Sequence, residues 1–267
     1  MRRTSGLRTH WPALLVGLLL AVLFIGALTV GTDGKLGQAL AFTSAAAPTV
    51  ITLAQYLYMR VDRWRLFMNR VRLQVLNPEM TVSYAVDYTI NDVHQSWAAV
   101  SALLKGAEDA TTRKLGQGDD GEVWLWHGTT VQVRLVDFSD PFEDRDILRI
   151  RVPAARASFR GMRKTIGEDM AGLLAGLERD VQASSRKYVV NVGFPGENPY
   201  FGVLVNNVSR DTVQRFDIDI FEASTSSNNQ DRVRIHKEEV ELVTTTALDA
   251  QLLALRYLSC EPVSGRA

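Results

Sequence analysis

An uncharged apolar run near the N-terminus is the feature that most restricts how this chain can fold. Residues Trp11 to Val30 include no Asp, Glu, Lys or Arg. At about 1.5 Å per residue, a helix of about 20 residues is about 30 Å long, which matches the hydrocarbon thickness of a bilayer. The run therefore predicts a transmembrane helix at residues 11–30, after a basic cytoplasmic N-terminus at residues 1–10.

A second uncharged stretch, Gly37 to Met59, follows a turn-like connection at residues 31–36. It is less apolar than the first, and together the two predict a transmembrane hairpin. Both stretches carry small residues four positions apart, a spacing that lets helix backbones approach closely in lipid. The packing residues predicted on this basis are Ala13, Gly17 and Ala21 in the first segment and Gly37, Ala41 and Ala45 in the second.

The flanking charges predict the orientation of the hairpin. Arg2, Arg3 and Arg8 precede the first segment, and further arginines follow the second between residues 60 and 72. The connection between the segments carries Lys35 and the opposing Asp33. Because cytoplasmic flanks of membrane spans are enriched in Lys and Arg, both flanks are expected in the cytoplasm and the short connection outside. This predicts a multi-pass protein of the plasma or inner membrane.

Two other interpretations of the N-terminal region stay open. The triplet Ala39-Leu40-Ala41 matches the small-residue pattern of a signal-peptide cleavage site. Alternatively, the first segment alone spans the membrane and the second is buried in protein. The apolar run is long for a signal peptide, and an arginine-rich stretch is unusual after a cleavage site, so the hairpin is preferred.

Residues 60–76 predict a basic amphipathic helix. Trp64, Phe67, Met68, Val71 and Val75 recur at helical spacing, and arginines occupy the other faces. Such a helix lies along a membrane surface with its cations near anionic headgroups. The alternative is a solvated helix packed on the folded domain. The predicted membrane-surface contacts are Arg60, Arg63, Trp64, Arg65, Arg70 and Arg72.

Charge is unevenly distributed along a chain whose formal net charge is zero. Of 30 basic and 30 acidic residues, nine basic and two acidic ones lie within the first 76 positions, which leaves 21 basic and 28 acidic residues beyond them. The basic front suits an anionic lipid surface, whereas the acidic remainder argues against non-specific nucleic-acid binding. Membrane lipid and a protein partner or a second copy are therefore the expected partners.

Residues 77–267 predict one cytoplasmic α/β domain. Alternation from Val82 to Ile90 indicates a strand, and Val93 to Gly106 a helix. The whole chain is predicted as a membrane-anchored α+β protein: the two-helix hairpin is followed by an α/β sandwich with a mainly antiparallel sheet, ferredoxin-like in its first half. The remaining predicted strands are 123–126, 130–137, 146–152, 187–194, 200–208, 214–221 and 232–243, and the remaining helices are Ser158 to Ala183 and 246–259.

Two groups of carboxylates are candidate sites. Asp217 and Asp219 alternate with apolar residues, so they share one strand face, and paired carboxylates can hold a metal or exchange protons. The preferred interpretation is an outward strand face with Arg215 and Arg232 as cross-strand partners. The acidic loop at residues 137–146, DFSDPFEDRD, could in principle bind a divalent cation but lacks EF-hand spacing, so a solvated acidic turn is preferred.

The remaining candidates favour structural roles. His94, His127 and His236 lack metal-ligand spacing, and His127 opens a turn. Cys260, the single cysteine, has no protease signature around it. The glycine- and proline-rich segment from Gly193 to Gly202 is expected to lead into a strand, whereas a phosphate cradle would lead into a helix. No catalytic residue, metal or cofactor is predicted.

The function that requires the fewest assumptions is a membrane-tethered, non-enzymatic interaction or sensor module, which recruits a partner or oligomerises. One alternative is a ligand-gated, two-helix effector, which would respond to a signal such as a nucleotide by perturbing the bilayer. The other is a membrane-bound enzyme with a dispersed active site.

Overall fold

The protein is described by a computed structural model over residues 52–53, 56–57, 61–107, 111–118, 121–136, 139–140, 143–144, 146–204, 216–224 and 230–261. The chain divides into two compact units, Met1–Met68 and Asn69–Ala267. The predicted packing residues of the hairpin and Arg60 lie outside the described residues, as do residues 11–30 and most of 37–59. Within the described ranges, no helix combines the length and the apolar character that crossing a bilayer requires.

The described part of the chain contains both helices and strands. The helices are α1 (Asp62–Leu76), α2 (Val93–Gly106), α3 (Phe159–Lys164), α4 (Ala171–Asp180), α5 (Phe201–Leu204) and α6 (Ala247–Leu258), with a π-helical segment (Thr165–Met170) between α3 and α4. The strands are β1 (Glu79–Ile90), β2 (Arg113–Gly118), β3 (Gly121–Trp126), β4 (Thr129–Val136), β5 (Ser139–Asp140), β6 (Glu143–Asp144), β7 (Asp146–Ser158), β8 (Ala183–Gly193), β9 (Asp217–Ala223), β10 (Gln230–His236) and β11 (Glu239–Thr244).

Nine of the strands form one sheet in the order β2-β3-β4-β7-β1-β8-β11-β10-β9, and β5 pairs with β6 separately. Neighbouring strands in the sheet are antiparallel. The prediction of a mixed α+β fold with a mainly antiparallel sheet is therefore confirmed. At its centre, β4-β7-β1-β8 with helices after β1 and β7 has the strand order of a split β-α-β arrangement, and the sheet continues on both sides of it.

One face of the sheet forms the hydrophobic core. On β1 every second side chain is buried, from Met80 to Ile90, because successive side chains of a strand point to opposite faces. The register places the buried Leu148, Ile150 and Val152 of β7 beside Tyr88, Val86 and Tyr84. Helix α4 contacts both α2 and α6, and α6 contacts β8 and β11. Each large apolar side chain removed from water here contributes about 1.5–3 kcal/mol.

The opposite face carries the polar side chains of the same strands. The register places Asp87 of β1 between Arg149 of β7 and Lys187 of β8, and it pairs Glu241 of β11 with Arg234 of β10. These side chains are partly or largely exposed. Half-buried antiparallel sheets show this alternation when one side packs on a core and the other meets water. We call this side the open face.

The helix predicted from Ser158 to Ala183 is interrupted by a π-helical turn. Ser158 caps its start by accepting a hydrogen bond from the backbone N–H of Gly161, and the helix ends at Asp180, before β8 begins at Ala183. Two side chains fix the π-helical segment. Trp126 donates its indole N–H to the carbonyl of Asp169 at 2.9 Å, and Gln251 donates to the carbonyl of Gly167 at 2.9 Å.

The predicted strand at 200–208 is wrong over the residues that are described, because Phe201–Leu204 is helical. Tyr200 and Phe201 are adjacent and both are buried, at 1% and 0% exposed. Neighbouring residues of a strand point to opposite faces, so two consecutive buried aromatic residues fit a turn of helix better than a strand with one wet face.

The predicted strand at 232–243 is two strands, β10 and β11, joined at Lys237 and Glu238. The apolar alternation contains the signal for this turn. Val233 and Ile235 occupy odd-numbered positions, whereas Val240 and Leu242 occupy even-numbered positions. A continuous strand would place the second pair on the face opposite the first, but all four residues are fully buried.

Candidate functional site

The predicted carboxylate pair lies on the open face of β9, where Asp219 forms ion pairs and Asp217 forms a hydrogen bond with His236. Asp219 accepts hydrogen bonds from Arg232, at 2.7 and 3.1 Å, and from Arg234 at 3.1 Å. Arg234 also lies 3.3 Å from Glu241 on β11. Asp217 lies 2.5 Å from Nδ1 of His236. The interpretation of Asp219 as a strand-face residue with Arg232 as its partner is confirmed, while Arg215 lies outside the described residues.

These contacts suit a structural role for Asp219 better than a role in proton transfer. The two guanidinium groups hold the pKa of Asp219 at about 2, mainly through hydrogen bonds from Arg232 and then from Arg234. A carboxylate held ionised in this way is a poor general base near neutral pH. The row of ion pairs fixes the side-chain arrangement of β9, β10 and β11 on the open face.

A second group of carboxylates, beneath helix α6, is buried. Glu222 of β9 accepts a hydrogen bond from the hydroxyl of Tyr257 at 2.8 Å and pairs with Arg256. Asp249 of α6 accepts a hydrogen bond from Ser224 at 2.7 Å and forms a reciprocal helix cap with Thr246.

The third carboxylate of this group is that of Asp231, whose pKa is raised. Asp231 of β10 is 2% exposed, and its Oδ1 has no hydrogen-bond partner among the described residues. The pKa of Asp231 is raised to about 6, first by burial and then by the nearby carboxylates of Asp249 and Glu222. Perturbed carboxyl groups cluster at functional sites, although structural networks perturb pKa values as well. Among the shifted pKa values in the described part of the chain, that of Asp231 lies nearest to neutrality.

Sequence reasoning missed this group, although the alternation contains a signal for it. Alternate residues of a strand lie on the same face. Asp231 alternates in this way with the buried Val233 and Ile235, and Glu222 alternates with Ile218 and Ile220. Each acidic residue therefore occupies a position on the core side of its strand. An acidic residue at such a position indicates either a buried hydrogen bond or a raised pKa.

The other sequence candidates have structural surroundings. Cys260 is 3% exposed, and burial raises its pKa to about 12, so its thiol stays protonated and unreactive near neutral pH. The structural role predicted for His127 is confirmed: the residue occupies a turn at φ 45° and lies 3.3 Å from the hydroxyl of Thr111. In the described part of the chain, no group of three or more His, Cys, Asp or Glu side chains is arranged to hold a metal ion.

The segment after Gly193 leads into helix α5, which corrects the expectation that it leads into a strand. Asn198 fixes it to the β10–β11 turn by donating to the carbonyls of His236 and Glu239 at 3.2 and 3.1 Å. Tyr200 donates its hydroxyl to the carbonyl of Glu261 at 2.8 Å. These contacts occupy the segment within the fold, and α5 has only four residues.

Helix α1 confirms the helical periodicity predicted around residues 62–76. Phe67, Met68, Val75 and Leu76 are exposed large apolar side chains, at 51%, 38%, 73% and 63%. Of the predicted membrane contacts in the described range, Arg63 and Arg72 are exposed, Trp64 and Arg70 are partly exposed, and Arg65 is 4% exposed. The membrane-surface contacts themselves stay a prediction.

Two clefts of moderate volume occur among the described residues. One, of about 320 Å³, is lined by polar residues at the start of α2 and of β8, including Asp92, Gln95 and Ser184. The other, of about 380 Å³, is lined by Gln74, Phe159, Arg160 and Arg163. Small-molecule sites are mostly apolar with a few convergent polar groups. Neither cleft has that composition.

Comparisons of this chain with protein-family models, with curated proteins and with solved structures find no match.

Proposed function

We propose that this protein is a membrane-tethered, non-enzymatic interaction module. In this proposal, residues 11–30 and 37–59 form a transmembrane hairpin, and residues 77–267 form a cytoplasmic domain. The domain recruits a protein partner to the membrane or self-associates there. Tethering raises the local concentration of a binding domain, so a contact of modest affinity is sufficient.

The observation that carries the proposal is the exposed apolar surface of helix α1. Val75 and Leu76 are among its most exposed side chains, and they lie one turn from the exposed Arg72. Phe67 and Met68, two turns earlier, are also exposed. Apolar side chains interspersed with arginines on one helix are typical of segments that lie in the bilayer interface. Residues 37–59, the predicted second span, directly precede this helix.

The proposed headgroup contacts are the arginines of α1 with exposed side chains. Arg63 and Arg72 are exposed, and Arg70 is partly so. Each cation near an anionic leaflet contributes about 1 kcal/mol. Long arginine side chains can place their charge among headgroups while their methylene stems cover apolar surface. The buried Arg65 is excluded from this set.

The open face supports an interaction role for the domain. It presents charged side chains from neighbouring strands, among them Asp87, Arg149 and Lys187, which the core does not use. Interfaces between proteins use complementary charges to set specificity and association rate. The polar character of the open face and the membrane proximity of α1 together favour recruitment or self-association over catalysis.

A pair of introduced cysteines tests the topology. Cys260 is buried and therefore unsuitable as a probe in the native protein. We expect Glu238→Cys, at the exposed β10–β11 turn, to react with a membrane-impermeant maleimide only after lysis of spheroplasts. We expect Lys35→Cys, in the predicted external connection, to react in intact spheroplasts.

The matched controls are the unsubstituted chain and alkaline carbonate extraction. The unsubstituted chain should label in neither condition unless it is denatured. The protein should remain in the membrane fraction after carbonate treatment. Labelling of Glu238→Cys in intact spheroplasts would place the domain outside the cytoplasm and refute the proposed orientation, and extraction by carbonate would refute the hairpin.

A further inference from the structure

The end of helix α1 and the start of helix α3 form a basic cleft. The cleft has a volume of about 380 Å³ and is lined by Gln74 of α1 and by Phe159, Arg160 and Arg163 of α3. Phe159 is 1% exposed, whereas both arginines are exposed. Arg160 and Arg163 are three positions apart, so they are neighbours on the helix surface. This lining suits a negatively charged ligand better than an apolar one.

Three hydrogen bonds hold the start of α3 beside the end of α1. The backbone N–H of Phe159 donates to the carbonyl of Pro78 at 2.9 Å. The backbone N–H of Arg160 donates to Oδ1 of Asn77 at 3.0 Å, and its guanidinium donates to the carbonyl of Gln74 at 3.2 Å. A guanidinium carries five N–H donors, so this contact fixes the side chain of Arg160 at the cleft and leaves other donors for a ligand.

The two arginines of the cleft lack acidic partners in the described part of the chain. Neither Arg160 nor Arg163 forms an ion pair with another described residue. Residues 69–79 and 156–164, which contain the cleft, include six basic residues and one acidic residue, for a net charge of +5. Positive charge is thus concentrated here in a domain with an acidic excess, and an anion complements it.

Exposed apolar side chains lie directly beside the cleft on α1. Val75 and Leu76 follow the lining residue Gln74 and are 73% and 63% exposed. Apolar side chains beside arginines can meet both parts of a phospholipid, because its acyl region is apolar and its headgroup is charged. A soluble phosphate would use the arginines alone, so the exposed apolar pair favours a lipid.

We propose that this cleft binds the headgroup phosphate of an anionic phospholipid, with Arg160 and Arg163 as its ligands and with Val75 and Leu76 against the acyl region of the same leaflet. A guanidinium suits this ligand, because two of its N–H groups can bind two phosphate oxygens at once. The inference rests on the proposed membrane tether. It adds to the tether a class of lipid and two contacts that lie outside α1.

Native mass spectrometry of the full chain in detergent tests the proposal. The chain is titrated with phosphatidylglycerol or with phosphatidylcholine, whose choline neutralises the headgroup. We expect the first phosphatidylglycerol to bind more tightly than the first phosphatidylcholine. Arg163→Gln should weaken that binding about fivefold and Arg160→Gln/Arg163→Gln about 25-fold, because one cation near an anionic lipid contributes about a factor of five.

Two control variants remove a positive charge outside the cleft. Lys164→Gln changes the exposed residue that follows Arg163 but does not line the cleft, and Arg113→Gln changes an exposed arginine of β2. Both should bind phosphatidylglycerol like the wild type. Arg163 forms no hydrogen bond or ion pair with another described residue, so Arg163→Gln should keep the wild-type melting temperature. Glycerol 3-phosphate, which lacks acyl chains, should bind far more weakly than the lipid.

Unchanged binding of phosphatidylglycerol by Arg163→Gln, or equal weakening by the two control variants, would refute the cleft as the site. Equal affinity for phosphatidylcholine would refute the anionic class of lipid. Equal affinity for glycerol 3-phosphate would assign the cleft to a soluble phosphate. Carbonate extraction and cysteine labelling report on the hairpin and do not depend on these arginines, so failure of the headgroup site and failure of the membrane tether are distinguishable.

Discussion

Replacement of Asp231 by asparagine tests whether the pKa of the buried carboxyl group is raised in the folded protein. The pKa of Asp231 is raised from 3.8 to about 6, first by burial and then by Asp249 and Glu222. A shift of about 2 units corresponds to about 3 kcal/mol of preference of the folded state for the protonated form. Because the folded state binds this proton more tightly than the unfolded state, the contribution of Asp231 to stability falls as pH rises from about 4 to about 6.

The Asp231→Asn variant removes that pH dependence while nearly conserving shape. We expect it to be more stable than the wild type by up to about 3 kcal/mol above pH 6. For a domain of this size, this corresponds to a melting temperature about 6–12 °C higher. At pH 4, where the wild-type carboxyl is already protonated, the two proteins should differ little. Tryptophan fluorescence melts of the full chain in detergent at pH 4, 6 and 8 measure these differences.

Asp219→Asn is the matched control, because its pKa is shifted in the opposite direction. Arg232 and Arg234 hold the pKa of Asp219 at about 2, so its stabilising contribution is present above pH 4 and is lost as pH falls towards 2. This variant should therefore be less stable than the wild type at pH 8. A destabilised Asp231→Asn at pH 8, or an equal difference from the wild type at pH 4 and pH 8, would refute the raised pKa of Asp231.

Two further predictions concern tightly packed positions. Cys260 should react with a maleimide only on unfolding, because burial raises its pKa to about 12; a mass-spectrometric time course in native buffer checks this, and rapid native labelling would contradict it. Gly193→Ala should destabilise the domain by about 1–3 kcal/mol, because the added Cβ would lie 2.2 Å from the hydroxyl of Thr81. Thr81→Ala should restore part of that loss in the double variant, as measured by thermal unfolding, and strictly additive effects would refute the clash.

The main elements of the domain could be predicted because local patterns and burial agree in them. Val82 to Ile90 alternates without interruption, and the structure buries its apolar half throughout β1. Strand β2 (Arg113–Gly118) escaped prediction because it is polar, contains two glycines and pairs with β3 through an irregular register. Such a strand is held by its neighbour rather than by its own side chains.

The sites were less predictable because they depend on pairing between distant strands. The sequence predicts that Asp217 and Asp219 share a face, but only the register of β9 with β10 places Arg234 beside Asp219. Likewise, Asp231 and Asp249 are 18 residues apart and belong to different elements. The effect of Asp249 on the pKa of Asp231 follows from the packing of α6 on the sheet, which no local spacing specifies.

The net charge of the domain also says less about its surface than the positions of the individual charged residues do. The region beyond residue 76 carries an excess of acidic residues, yet Arg134 of β4 lies directly opposite Arg149 of β7 on the open face. Like charges opposite each other on antiparallel strands are destabilising, and Asp87 offsets this pair through its bidentate ion pair with Arg149. The charge at this part of the sheet therefore follows from the strand register, which the net charge of the domain does not specify.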